Sequence, residues 1–174
     1  GDADIAAWLD HHDLPYATLP DGELEADVAR RIAAGEGVGL FQGRMEFGPR
    51  ALGNRSIVGD ARSPRMQSVL NLKIKYRESF RPFAPSVLEE RISDYFEIDR
   101  PSPYMLLVAQ VRRERCIQPE ETEKDISVLE KVNQVRSDIP AITHVDHSAR
   151  IQSVAADPNP RYHAVIKAFE EMTG

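Results

Sequence analysis

The segment QGRMEFGPRALGNRSI, residues 42–57, most restricts what this 174-residue chain can form. It places three arginines and three glycines in sixteen residues and contains almost no apolar run. Charge of this density cannot be buried without partners, and glycines at this spacing interrupt regular structure. The preceding VGLF, residues 38–41, is typical of a short strand. We therefore predict a strand that leads directly into an arginine-rich loop.

Charge is divided unevenly along the chain. Residues 42–81 contain nine Lys or Arg against three Asp or Glu, and the remainder contains thirteen against twenty-five. The formal net charge of −6 therefore combines a local +6 with −12 elsewhere. A nucleic-acid surface usually makes a whole domain basic, whereas a compact basic segment on an acidic body favours a small phosphate or carboxylate ligand.

Several classes of protein are disfavoured. No stretch approaches about eighteen consecutive apolar residues, and the opening GDADIAAWLD lacks the basic and apolar regions of a signal peptide. We therefore expect no membrane span and a cytoplasmic location. Cys116 is the only cysteine, which excludes an intrachain disulfide. The glycine spacings of dinucleotide folds and P-loops do not occur.

Hydrophobic periodicity predicts one α+β domain, residues 1–174, with a mixed sheet and flanking helices. The apolar run within residues 104–111 predicts a central strand, and residues 141–145 and 151–154 predict a hairpin. The charge-rich residues 112–138 predict an excursion outside the core. Other strands are predicted at 38–41, 56–58 and 83–88, and helices at 3–9, 23–34, 65–75, 89–96 and 160–172. The helix at 65–75 should turn Met66, Val69, Leu70 and Leu72 inward.

A second group of cations follows the loop, in NLKIKYRESFRPFAPSV, residues 71–87. The cations are Lys73, Lys75, Arg77 and Arg81, and aromatic residues lie between them. Such aromatics can stack on a nucleobase, and arginine can bind phosphate or carboxylate in a bidentate manner. Plainer interpretations stay open for both groups: here the aromatics belong to the core and the cations merely flank a turn, and in the loop at 42–57 the arginines pair weakly with surface acids.

A third group lies in THVDHSARIQ, residues 143–152, and contains His144, Asp146, His147 and Arg150. Two histidines three residues apart on a strand and turn should point to different faces, so we predict no metal site here. A satisfied histidine or a single substrate contact is the preferred interpretation. Neither this segment nor any other shows a nucleophile beside a general base.

Long motifs resemble a known family. FQGRMEFGPRALGNRSI, LNLKIKYRESFRPFAPSVLEE, SPYM and ITHVDHSARIQSV look like the C-terminal domain of the ATP-dependent O-carbamoyltransferases, which include nodulation-factor, cephamycin and tobramycin carbamoyltransferases. The resemblance covers nearly the whole chain. It implies a YrdC-like fold and, in the full-length enzyme, an N-terminal actin-like ATPase-type domain as partner. The family continues past the position of Gly174, so we expect part of the sheet to be truncated.

In that family the domain combines carbamoyl phosphate with ATP, accompanied by Mg²⁺, to form carbamoyladenylate. The other domain then transfers the carbamoyl group to a hydroxyl. Lys75-x-Arg77 before a strand resembles the element of YrdC-like proteins that holds ATP phosphates and the acyl group. The family usually has glycine at the position of His147.

The resemblance and the charge pattern together give our site predictions. We assign catalysis to Arg50, Arg77 and Arg81. We assign substrate and ATP binding to Arg44, Arg55, Lys73, Lys75, Ser86, His144, Asp146 and Arg150. Arg44, Arg50, Arg55, Lys75, Arg77 and Arg81 should line one cleft with Ser86 at its floor, and His144, Asp146 and Arg150 should lie at its rim. The rival functions are a non-catalytic nucleotide- or RNA-binding module and an interdomain docking module.

Overall fold

A computed structural model describes residues 1–117, 127, 132 and 134–174. Within these residues the helices are α1 Asp2–His11, α2 Glu23–Ala33, α3 Met66–Leu70, α4 Ile92–Tyr95 and α5 Pro160–Thr173. The strands are β1 Val38–Phe41, β2 Arg55–Val58, β3 Ser86–Leu88, β4 Val108–Gln110, β5 Ser148–Arg150 and β6 Gln152–Val154. The predicted mixture of helices and strands is confirmed.

The strands pair as three separate two-stranded ribbons. β1 and β2 are antiparallel, as are β4 and β5. β3 and β6 are parallel, and Ser86 lies opposite Gln152. Only Ile151 separates β5 from β6, so this stretch connects two of the ribbons. Among the described residues the strands therefore form small ribbons and not the single mixed sheet that the sequence predicted.

Three apolar clusters hold these elements together. The largest surrounds Phe96 and Ile151, which are 2% and 0% exposed. A second joins α2 to α5, because Val28 and Ile32 recur at helical spacing and face Val165. In the third, residues of α3 pack with Ala141. The predicted helices at 23–34 and 160–172 are confirmed almost to the residue, since each presents one apolar face to the other.

The prediction of a central strand at 104–111 is wrong. Only Val108–Gln110 is a strand, and it pairs with β5 alone. Leu106 and Val108 are 65% and 58% exposed. Met105 has a φ of 55°, which turns the chain out of extended geometry before β4. The apolar composition of residues 104–111 therefore did not predict which of its side chains are buried.

The predicted hairpin of 141–145 and 151–154 is also wrong. Pro140–Ile142 is a 3-10 turn, and β6 pairs in parallel with β3. The intervening turn instead delivers the chain into β5. The predicted strand at 83–88 shortens to Ser86–Leu88, and the predicted helix at 89–96 begins as the 3-10 turn Glu89–Arg91.

The predicted helix at 65–75 is α-helical only in its first half. α3 continues as a π turn over Asn71–Lys75, which rotates later side chains away from the helical face. Met66 and Leu70 are buried as predicted, but Leu72 is 56% exposed.

Most of the predicted excursion at 112–138 lies outside the described residues. Among the helices that the structure describes, none is long and apolar enough to cross a membrane.

Candidate functional site

A cleft of about 360 Å³ is lined by residues from all three apolar clusters. Ligand pockets commonly have volumes of roughly 300–1,000 Å³. The described residues of this lining include no carboxylate. Its charged side chains are Arg55, Lys75, Arg77 and Arg150, and the polar side chains beside them include Ser86, Gln152 and Tyr162. Four positive charges without a countercharge in this lining make the cleft electrostatically suited to an anionic ligand.

Lys75 and Arg77 reach the cleft through an unusual turn. The π turn ends at Tyr76, whose φ of 48° and ψ of 49° are left-handed and rarely adopted by a bulky residue. Tyr76 itself is 86% exposed, while its two neighbours line the cleft. Backbone strain of this kind is concentrated at binding and catalytic sites.

Asn71 holds Arg77 in place, and sequence reasoning missed it. Its side chain is completely buried. The Nδ2 group donates to the carbonyl oxygens of Ser79 at 3.0 Å and Arg81 at 2.8 Å, and Oδ1 accepts from Arg77 Nε at 2.6 Å. One buried amide therefore closes the 76–81 turn and orients the guanidinium. The available signal was an asparagine between two leucines at the end of a helical pattern.

The terminal nitrogens of Arg77 remain available to a ligand. Its backbone amide donates to the Asn71 carbonyl at 3.1 Å, and its guanidinium carbon lies 5.1 Å from the centre of the Phe83 ring. Neither Nη1 nor Nη2 has an acceptor among the described residues. Arg77 is thus fixed through Nε and presents its two outer nitrogens in a position suited to bidentate contact with an oxyanion.

Arg55 has a mainly structural role in the loop. Its Nη1 donates to the carbonyl oxygens of Gln42 at 2.7 Å and Asn54 at 2.8 Å, and Nη2 donates to that of Gly43 at 3.2 Å. Its guanidinium also stacks 3.6 Å above the centre of the Phe41 ring. Arg55 therefore joins the two ends of the loop and adds a fixed positive charge to the cleft wall.

Glu46 organises the middle of the same loop. Its Oε1 accepts from the backbone amides of Leu52 at 2.6 Å and Asn54 at 2.9 Å. Burial by itself would raise the pKa of Glu46, but the amide hydrogen bonds outweigh burial and lower it. The folded-state pKa therefore lies below the unfolded value.

This direction predicts a pH-dependent contribution to stability. Ionised Glu46 stabilises the fold above its unfolded pKa, and the contribution is lost as the pH falls through the folded pKa. At pH 7 we expect Glu46→Gln to lower the free energy of unfolding by about 1 kcal/mol. Urea titrations from pH 7 to pH 3 should show this difference shrinking. Glu114→Gln, at an exposed acid, should change little; a constant difference for Glu46→Gln would contradict the prediction.

Ser86 lies in the cleft at the start of β3. Its Oγ donates to Gln152 Oε1 at 3.0 Å and accepts from the hydroxyl of Tyr162 at 2.7 Å. Gln152 Nε2 in turn donates to the Leu52 carbonyl at 2.7 Å, which connects the cleft to the arginine-rich loop. Burial raises the pKa of Tyr162, although the hydrogen bond to Ser86 opposes this shift.

The other cations among the predicted site residues lie outside the lining of this cleft. Arg44 and Lys73 are exposed, and Arg81 forms an exposed ion pair with Glu78 at 3.1 Å. Arg50 is half-buried, and its Nε has no partner among the described residues. The cleft lining therefore brings together Arg55, Lys75, Arg77 and Ser86 and does not include Arg44, Arg50 or Arg81. The catalytic and binding roles assigned to all of these residues stay predictions.

His144 and Asp146 line a different cleft, of about 610 Å³, so a common rim with Arg150 is not formed. The turn explains the separation, because the His144 amide donates to the Ser148 carbonyl at 2.8 Å and folds the chain back. Asp146 Oδ1 accepts from the hydroxyl of Ser148 at 2.7 Å, which lowers the pKa of Asp146. Burial lowers the pKa of His144.

No group of three or more His, Cys, Asp or Glu side chains is arranged to hold a metal ion in the part of the chain that the structure describes.

His147 occupies a position that suits glycine, as the family resemblance implied. Its φ is 62°, and its Nδ1 is buried without a partner among the described residues. A left-handed residue with a side chain costs roughly 1–2 kcal/mol. We expect His147→Gly to be more stable than His147→Ala by about 1 kcal/mol, because both remove the ring and only alanine keeps the strain. Urea titration measures the difference.

The control for this comparison is Lys167, which is exposed on α5. Within a regular helix glycine is less stable than alanine by about 1 kcal/mol, so Lys167→Gly should fall below Lys167→Ala. The same order at both positions would show that His147 is not strained.

Comparison with known proteins supports the resemblance. A family model described as Carbamoyltransferase C-terminus matches residues 29–174. The chain is 58% identical over 158 residues to an uncharacterized protein of Synechocystis, covering 91% of this chain and 26% of that protein. It is 40% identical to nodulation protein NolO of Bradyrhizobium diazoefficiens, covering 98% and 27%. It is 36% identical to the 3'-hydroxymethylcephem-O-carbamoyltransferase of Streptomyces clavuligerus, covering 86% and 24%.

The chain spans about a quarter of the length of these relatives. The matched segment includes the arginine-rich loop, the Lys75 to Arg77 turn and all the residues of the cationic cleft. On the extent of this match, the chain belongs to the Carbamoyltransferase C-terminus family.

Proposed function

We propose that this domain binds carbamoyl phosphate and ATP in the cationic cleft and forms carbamoyladenylate within a larger O-carbamoyltransferase. The observation that carries the proposal is the convergence of Arg55, Lys75, Arg77 and Arg150 on one cleft whose described lining has no carboxylate. Both substrates are anionic, and fixed cations stabilise them without reorganisation during the reaction. Family membership supplies the carbamoyl chemistry.

The reaction assigns a part to each side chain. Water cleaves carbamoyl phosphate to carbamate and phosphate, and a carbamate oxygen attacks the α-phosphorus of ATP. The bond from that phosphorus to the pyrophosphate oxygen breaks, and pyrophosphate leaves. Charge develops on the transferring oxygens, where Arg77 offers two nitrogens and Lys75 one ammonium group. Arg150 and the structurally engaged Arg55 contribute positive potential to the wall.

Magnesium enters this scheme with the nucleotide. The described cleft lining contains no carboxylate that could bind Mg²⁺ directly, so the ion would arrive with the nucleotide and would supply neutralisation of the phosphate charge. The protein's cations then act beside the metal in neutralising the phosphates. Nucleotide binding should therefore be stronger when Mg²⁺ is present.

The full-length protein supplies the second half of the reaction. Because the relatives are about four times longer than this chain, we propose that another domain, actin-like by the resemblance, receives carbamoyladenylate and carries the acceptor hydroxyl. We also propose a YrdC-like relationship for this domain. Its support is local: Lys75 and Arg77 flank a strained residue and precede β3, as in the K-x-R element.

Calorimetric titration of the full-length protein tests the proposal. ATP with Mg²⁺ and carbamoyl phosphate should each bind, and a short RNA duplex should not. Tight RNA binding with a steep salt dependence and no binding of either small ligand would favour the RNA-binding alternative. No binding of any of the three would favour a purely docking role.

A further inference from the structure

The hydrogen-bond directions around Ser86 are fixed by the groups that surround it. The Leu52 carbonyl can only accept, so Gln152 must point Nε2 toward it, at 2.7 Å. Gln152 Oε1 therefore faces Ser86 and can only accept, at 3.0 Å. The single hydroxyl proton of Ser86 is consequently donated to Gln152.

The same logic fixes the direction of the bond from Tyr162. Because the Ser86 proton is already committed, the contact of 2.7 Å requires Tyr162 to donate its own proton to Ser86. Gln152 and Tyr162 are each 4% exposed, so water does not compete for these bonds. The raised pKa of Tyr162, caused by burial, keeps its hydroxyl protonated at neutral pH.

Ser86 lines the cleft and, with its proton donated to Gln152, can offer a ligand there only a lone pair. A phosphate oxygen is also an acceptor and gains nothing from such a partner, which disagrees with a role for Ser86 in gripping phosphate. The complementary ligand group is an N–H or O–H donor. In carbamoyl phosphate the donor is the amide NH₂, which a carboxylic acyl phosphate lacks.

We propose that the Ser86 hydroxyl accepts a hydrogen bond from the carbamoyl NH₂ group and thereby selects carbamoyl over other acyl phosphates. The inference rests on the proposed function and adds the orientation of the substrate: the amide end lies at Ser86, and the phosphate lies toward Lys75 and Arg77. A site built around a hydrogen-bonding group discriminates against analogues that lack the partner.

Acetyl phosphate is the matched probe, because a methyl group replaces NH₂ and the phosphate is unchanged. In calorimetric titrations of the full-length protein, we expect wild type to bind carbamoyl phosphate about tenfold more tightly than acetyl phosphate. Ser86→Ala should weaken the binding of carbamoyl phosphate by about tenfold and the binding of acetyl phosphate by less than about twofold. Ser86→Cys, which keeps the volume but accepts poorly, should behave in the same way.

Arg77→Ala provides the contrasting variant, since loss of a phosphate contact should weaken both acyl phosphates by the same factor. If Ser86→Ala and Ser86→Cys weaken the binding of both acyl phosphates equally, the inference is overturned. It is also overturned if these variants weaken only the binding of ATP, which would place a ribose hydroxyl at Ser86. Equal binding of the two acyl phosphates by wild type would also overturn it while leaving the phosphate site intact. Binding of neither would instead count against the proposed function.

Discussion

Arg77→Ala should reduce carbamoyl-phosphate-dependent release of pyrophosphate from ATP by on the order of 100-fold. The reason is geometric: Arg77 lines the cleft, and both of its outer nitrogens lack acceptors among the described residues. Arg77→Lys should recover little, because one ammonium group lacks the planar fork that can bind Asn71 through Nε while two outer nitrogens face a ligand. A pyrophosphate-release assay on the full-length protein measures both variants.

The control for Arg77 is Arg113→Ala, at an exposed arginine in the 3-10 turn Arg113–Arg115, outside the cleft lining. This variant should retain activity. Thermal melting of each protein separates chemistry from folding, because the bond between Arg77 and Asn71 also supports the turn. If Arg77→Ala keeps wild-type turnover, the arginine has no catalytic role. If activity and melting temperature fall together, its role is structural.

Gly53→Ala should be strongly destabilising. A Cβ at this position would lie 2.4 Å from Cδ1 of Tyr162, and the φ of 114° is strained for any side chain. The ring cannot move aside easily, because Tyr162 is buried and donates to Ser86. Backbone strain and overpacking together predict a loss of about 3 kcal/mol in the free energy of unfolding, measured by urea titration.

Gly35→Ala separates the two contributions to this loss. Gly35 also has a positive φ, of 86°, but a Cβ there would meet nothing within 4 Å. It should therefore show the backbone strain alone, about 1 kcal/mol. Similar losses at Gly53 and Gly35 would mean that the Tyr162 ring moves aside, and that its close approach to Gly53 adds no further cost.

Hydrophobic periodicity correctly predicted the helices that bury one apolar face against a single neighbouring helix. α2 and α5 were recognisable because each has an apolar stripe at helical spacing that packs on the other. The prediction of a buried strand that includes residues 104–108 was wrong. Apolar composition indicates that a segment could be buried, but it does not indicate whether another element covers it. The loop at 42–57 was recognised from its glycines and arginines, but the acid that organises it, Glu46, was counted only as a charge.

Buried polar groups were the main omission. Asn71, Gln152 and Tyr162 determine which way Arg77 and Ser86 face. Asn71 and Gln152 lie within the segments 71–87 and 143–152, but the predictions selected other residues of those segments. Their effect depends on partners up to 100 residues away, such as the Leu52 carbonyl for Gln152. Such partnerships are settled by packing and not by spacing.

By itself, the sequence determined the family, the main helices and the concentration of positive charge in residues 42–81. The tertiary structure alone decided which of those charges share a cleft. Arg81 follows Arg77 by four residues yet pairs with Glu78, whereas Arg150 joins the cleft from a distant strand. The physical reason is that side-chain direction follows from turns and long-range pairing, here the Asn71 amide and the β4–β5 register, and neither is encoded in local sequence.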